Sequence, residues 1–172
     1  MKEPSSARIG EAPSIRAKTF IEWSDSFSIG VQTVDEQHKG LVAMLNEIND
    51  GINGGWGKQA RDEVLNKLVE YTVVNFNTEE SLMTISNYSG LAAHKQHHEQ
   101  LIAMVKEYLA KYEKDPSASN YDLLFFLKRW LVEHIMKDDK AMGEYLVKQG
   151  VGKTGTSSSW FARIKQWLGF GG

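Results

Sequence analysis

Leu91-Ala-Ala-His94-Lys-Gln-His-His98-Glu99 is the stretch on which the reading of this chain turns. Residues four apart on an α-helix share a face about one turn apart, so His94 and His98 can close on a single metal ion. The stripe continues through Leu101, Val105, Tyr108 and Tyr112 in alternating steps of four and three. That spacing predicts a core-facing helix with two imidazoles set into its apolar side. Taken alone, the pair fits either a hydrogen-bonded polar core or a metal clip. The rest of the chain must supply further ligands if the second reading is to hold.

Composition narrows the field. A chain of 172 residues, 41% apolar and 24% charged, suits one well-buried domain with tails. A net charge of −2 gives no basis for nucleic-acid binding. The absence of cysteine removes disulfides, thiolate metal sites and cysteine nucleophiles. No run of about 18 apolar residues is present to span a bilayer. The first residues, with Lys2, Glu3, Arg8 and Glu11, lack the apolar segment of a secretory signal. The expected location is therefore cytoplasmic.

Residues 1–20 read as a loose polar arm, and the stretch from Ile21 to Val34 as an extended lead-in packed on the domain. A first helix is expected to start near Asp35 as N-cap, with His38, Leu41, Leu45, Ile48 and Ile52 facing inward. Asn53-Gly54-Gly55-Trp56-Gly57 stops it. A second helix, about 59–85, turns Val64, Leu68, Tyr71, Asn75, Glu79 and Leu82 inward. After Asn87-Tyr88-Ser89-Gly90 comes the helix of the opening stretch, which ends before Asp115-Pro116. A fourth, about 120–148, carries Leu124, Leu127, Leu131, Ile135, Asp139, Met142 and Leu146, with His134 at the edge of the stripe. Four long helices, short connections and no period-two alternation predict an all-α, antiparallel up-down-up-down four-helix bundle over 21–149.

His38, Asn75, Glu79, His94, His98, His134 and Asp139 all interrupt or flank apolar stripes, and the topology brings them to one level of the core. Four of the five histidines stand at these positions. Burying such groups unpartnered costs several kcal/mol each. Carboxylates and neutral imidazoles are metal ligands, so a metal cluster removes that cost.

These residues resemble a known family. Asp35-Glu36-Gln37-His38, the Tyr71–Glu80 segment, His94-Lys-x-x-His98-Glu99 and His134-Ile-Met-Lys-Asp-Asp139 are similar to the signature of the hemerythrins, in their single-domain bacterial form. The resemblance covers about 21–149. It implies a non-heme di-iron centre that binds O2 reversibly, for transport, storage or delivery, and no enzymatic role. By position, His94, His98 and His134 would hold one iron, Glu79 and Asp139 would bridge, and His38 would hold the other. Phe76, Trp130, Leu131 and Ile135 would line the O2 pocket. The family reads His-Phe-x-x-Glu on the second helix, whereas this chain reads Asn75-Phe76-Asn77-Thr78-Glu79. His97 stands ~100° from the cluster face and cannot substitute. The expectation is one intact metal site and one weakened by Asn75. A sensor of O2, redox state or iron, or an interaction module, is the alternative.

Past Gly150 to Ser159, read as a flexible linker, Trp160, Ile164, Trp167 and Leu168 fall on one helical face flanked by Arg163 and Lys165. A basic amphipathic helix over 160–172 suits a membrane surface, a partner protein at the membrane, or docking on the bundle. It would place the protein peripherally at the inner face of the membrane.

Overall fold

The computed structural model describes residues 19–114 and 120–152. All of the expected N-terminal arm but residues 19 and 20, all but the start of the linker, and the basic C-terminal helix lie outside these residues. Four helical rods form the bundle: α1 (Gln32–Asn53), α2 (Lys58–Ile85), α3 (Leu91–Lys114), and a last rod of α4 (Asn120–His134) and α5 (Lys140–Lys148). A π-helical turn, Ile135–Asp139, joins α4 to α5. The backbone stays helical at His134 and Lys140 on either side. No strand occurs among the described residues. The predicted stripes form the core, with Leu45, Leu124, Met142 and Leu146 at 2% exposure or less.

Three of the rods end in the same way. Trp56 donates to the Gly51 carbonyl, Tyr88 to Met83 and Val151 to Leu146, each across a residue with positive φ. Those residues are Gly55, Asn87 and Gly150, types that tolerate the left-handed conformation a Schellman cap requires. The third cap buries Val151, so the start of the expected linker belongs to the bundle.

One boundary differs from expectation. α1 begins at Gln32, and Asp35 is not its N-cap. The Asp35 carboxylate instead reaches back along the chain, accepting the Ile29 N–H at 2.7 Å and the Ser28 hydroxyl at 2.6 Å. An aspartate in the first turn can satisfy a preceding loop as well as its own helix end, so residue type alone does not fix the cap position. The lead-in holds a 3-10 turn at Asp25–Phe27, is extended at Ser24, Ser28 and Val31, and turns at Gly30, where φ is 81°. Asn46 pins it to α1 by exchanging hydrogen bonds with both backbone groups of Ile21.

The lead-in crosses α5 tightly at Gly143. A Cβ there would stand 2.4 Å from the Ile29 carbonyl oxygen. Gly143→Ala is therefore expected to destabilise the protein by about 1–3 kcal/mol through overpacking. The check is a fall in the urea midpoint at unchanged m.

Candidate metal centre

The polar intruders do meet. His38, Asn75, Glu79, His94, His98, His134 and Asp139 are all 4% exposed or less, contributed by all four rods. Two carboxylates organise them. One oxygen of Glu79, Oε2, lies 3.3 Å from His94 Nε2 and 3.2 Å from His98 Nε2. Its other oxygen, Oε1, lies 3.2 Å from His38 Nε2. Asp139 repeats the pattern: Oδ1 is 3.2 Å from the Nε2 atoms of both His94 and His134, and Oδ2 is 3.2 Å from His38 Nε2. Each carboxylate thus turns one oxygen to a three-histidine side and one to a single-histidine side. Two groupings of donor atoms converge: Glu79 with His94, His98 and His134, and His38 with Glu79 and Asp139.

The π turn explains how His134 joins them. Residues five apart stand ~140° from each other around a regular α-helix. The i→i+5 pattern of a π turn brings them nearly into line. His134 and Asp139, five apart, both face inward for that reason. His134, expected at the edge of its stripe, is inside it.

The donor set fits a cation. Both Asp139 oxygens, although 3.2 Å from imidazole nitrogens, meet none in hydrogen-bonding geometry, and His38 Nδ1 is buried without a hydrogen-bond partner among the described residues. His98 Nε2 and His134 Nε2 approach to 3.0 Å, so both ring nitrogens turn to one shared space. Burial alone would lower the histidine pKa values, but the carboxylates outweigh it. Asp139 and Glu79 push His38 and His94 up to about 9. Asp139 and Asp138 lead the rise of His134 to about 10. Glu79 is held down to about 2 by His38, His94 and His98, against its burial and the charge of Asp139. Asp139 is likewise held well below its usual range, against burial, by its histidine neighbours. The cluster demands positive charge at its centre. Protons supply it in the metal-free protein, and a cation can replace them.

An outer layer orients the three-histidine side. His98 Nδ1 and Glu80 Oε1 lie 3.2 Å apart, and Lys95 holds the second Glu80 oxygen at 2.9 Å. His134 Nδ1 lies 3.0 Å from Asp138 Oδ2, which His97 also meets at 3.0 Å. A carboxylate at Nδ1 selects the tautomer whose Nε2 lone pair faces the centre. His97, as expected, is outside the cluster, at 46% exposure. The only trace of this layer in the sequence is that Glu80 and Asp138 adjoin Glu79 and Asp139. Asp138→Ala is expected to weaken metal binding about 10–100-fold, the usual effect of losing such a partner. Competition against a chromophoric chelator measures it.

Phe76 stacks on His98 with centroids 3.6 Å apart, and Trp130 on His134 at 4.5 Å. Leu131 and Ile135 are buried nearby in sequence. Of these four residues, Trp130 and Leu131 also line an apolar cavity of about 40 Å³, with Leu41, Leu68 and Leu101 among its other walls. Phe76 and Ile135 do not line it.

The fold and this centre define a four-helix protein with a buried carboxylate-and-histidine cation site. The family model of the hemerythrin HHE cation binding domain matches residues 29–146. A bacteriohemerythrin of Pseudomonas aeruginosa is 38% identical over 117 residues, covering 68% of this chain and 75% of that protein. One of Methylococcus capsulatus is 34% identical over 124 residues, covering 70% and 91%. A crystal structure of wild-type hemerythrin aligns with a TM-score of 0.67 at 31% identity, covering 74% of this chain and 98% of the other. The chain belongs to the hemerythrin family.

Proposed function

We propose that this protein binds O2 at a non-heme iron centre with two unequal metal positions. His94, His98 and His134 would hold the first iron, Glu79 and Asp139 would bridge, and His38 with those carboxylates would offer the second position. The observation that carries this reading is the carboxylate disposition, one oxygen of each toward either side. Iron when bound supplies the O2 affinity. The chain's part is to orient three imidazoles, share two anions and keep water from the centre, while Trp130, stacked on His134, also lines an apolar cavity.

Asn75 is what makes the halves unequal. An imidazole there would give the second iron two nitrogen ligands. Asn75 offers only an amide, a weaker donor toward iron. The second metal is therefore weak or labile, and reversible O2 binding impaired. The test counts iron per purified chain and follows the visible spectrum on air exposure. One tight iron without reversible oxygenation supports the reading, whereas two tight irons with full reversibility defeat it.

The unequal site also favours a second role, as a sensor of O2, redox state or iron. Its two imidazole-bound carboxylates, Glu80 and Asp138, lead outward to the exposed Lys95 and His97, so a change at the metal has a path to the surface. Retained, rapidly reversible O2 favours the carrier. A conformational change on oxidation without O2 retention favours the sensor. Neither role requires catalytic turnover.

No helix among the described residues is long and apolar enough to cross a membrane. Peripheral attachment at the inner face through the basic segment 160–172 is the partner reading that suits delivery of O2 to a membrane protein. Deleting 156–172 is expected to abolish co-sedimentation with anionic liposomes and leave metal content unchanged. Unaltered partitioning would remove the membrane from the account.

A further inference from the structure

Four hydrogen bonds around Asn75 have only one possible direction. The Thr78 hydroxyl donates its single proton to the Val74 carbonyl at 2.9 Å. A carbonyl cannot donate, so Thr78 Oγ1 must accept from its other neighbour, Gln37 Nε2, at 3.0 Å. That fixes the Gln37 amide with Oε1 toward Asn75, 3.3 Å from Nδ2. Asn75 must then present its NH2 group. Its other proton goes to Glu79 Oε1 at 2.8 Å, the oxygen that also faces His38. An ionised carboxylate only accepts, so this last bond agrees with the rest of the chain. Turning the Asn75 amide over would set its oxygen against two acceptors in a site with 2% exposure.

From this relay we infer that Gln37 and Thr78 are positioning residues. They hold Asn75 as a hydrogen-bond donor to Glu79 and so bar its amide oxygen from the second metal position. The inference rests on the unequal-site reading and deepens it: the position lacks an imidazole, and its substitute is turned the wrong way to serve as a ligand. Glu79 Oε1, which a second metal would need, is engaged by the same N–H group. The relay leaves one tight metal position and sets a hydrogen-bond donor on the His38 side.

The test is an anaerobic Fe2+ titration of the full chain, compared with Thr78→Val, Gln37→Leu, Thr78→Ser and Asn75→His. Thr78→Val removes the acceptor that orients Gln37, and Gln37→Leu removes the acceptor that orients Asn75. Both are expected to tighten the second Fe2+ at least tenfold while the first binds as before. Thr78→Ser keeps the hydroxyl and should match the parent. In the metal-free parent, the Asn75 side-chain NH2 should give a hydrogen-bonded, slowly exchanging NMR pair that Thr78→Val perturbs. If the parent itself binds two Fe2+ tightly, the unequal-site reading fails, and this inference with it. If the parent binds one, Asn75→His binds two, and both relay variants still bind one, the relay alone is overturned. Variants with a weakened first site also count against it, because they show general damage to the centre.

Discussion

Asn75→His should convert a chain holding one tight metal into one holding two. Position 75 lies four residues before Glu79 on α2, so a side chain there projects to the same face of the same helix. Asn75 already approaches the carboxylate that faces His38. The substitution exchanges a hydrogen-bond donor for an imidazole nitrogen, and Gln37 Oε1 stands ready to accept from the ring's other nitrogen. Loss of an outer partner alone costs about 10–100-fold in affinity, so gain of a direct ligand is expected to tighten the second metal at least ~100-fold. That is about 2.7 kcal/mol of binding. Fe2+ titration under anaerobic conditions reads the stoichiometry, and absorption on air exposure reads whether O2 binds reversibly. A second metal no tighter than in the parent would mean that Asn75 is not what limits the site.

The bundle and the polar residues that converge in its core were legible because they rest on periodicity. His38, Glu79, His94 and His98 sit in stripes of strict three-four spacing, which survive any small error in a helix boundary. Asp139 fits the same spacing, but His134 does not, since a regular helix cannot turn both inward. The π turn resolves that conflict. Two polar residues five apart in an apolar stripe were its sequence signal. The start of α1 was misplaced because Asp35 has two possible employments, and burial of the Ile29 N–H decides between them. The outer layer was harder to see. Glu80 and Asp138 look like solvated charges until the rotamers of His98 and His134 are known, and nothing in one-dimensional spacing supplies those. The relay through Gln37 and Thr78 depends on hydrogen-bond direction across two helices. It has no counterpart in periodicity.

Glu79→Gln is expected to have the widest effect of any single substitution here, because Glu79 belongs to both donor groupings. With one carboxylate oxygen on either side, its loss should weaken metal binding at each position by at least ~100-fold. The metal-free protein should suffer as well, with a dependence on pH. Glu79, held down to about 2 from 4.5, contributes stability above its unfolded pKa that is lost only as the pH falls through about 2. His38 and His94, raised to about 9 from 6.5, contribute stability below 6.5 that is lost as the pH rises through about 9. The mutual interaction is therefore fully present between about 4.5 and 6.5. Breaking a buried ion pair by removing one partner costs about 3–5 kcal/mol. Urea unfolding in excess chelator should show a loss of about that size at pH 6 and a smaller one at pH 9.5, where His38 and His94 have shed most of their protons. Equal losses at the two pH values would mean that Glu79 acts in the metal-free core through packing and hydrogen bonds instead of charge. The metal titration would still report its proposed role as the shared ligand, so the two functions of this residue are measured separately.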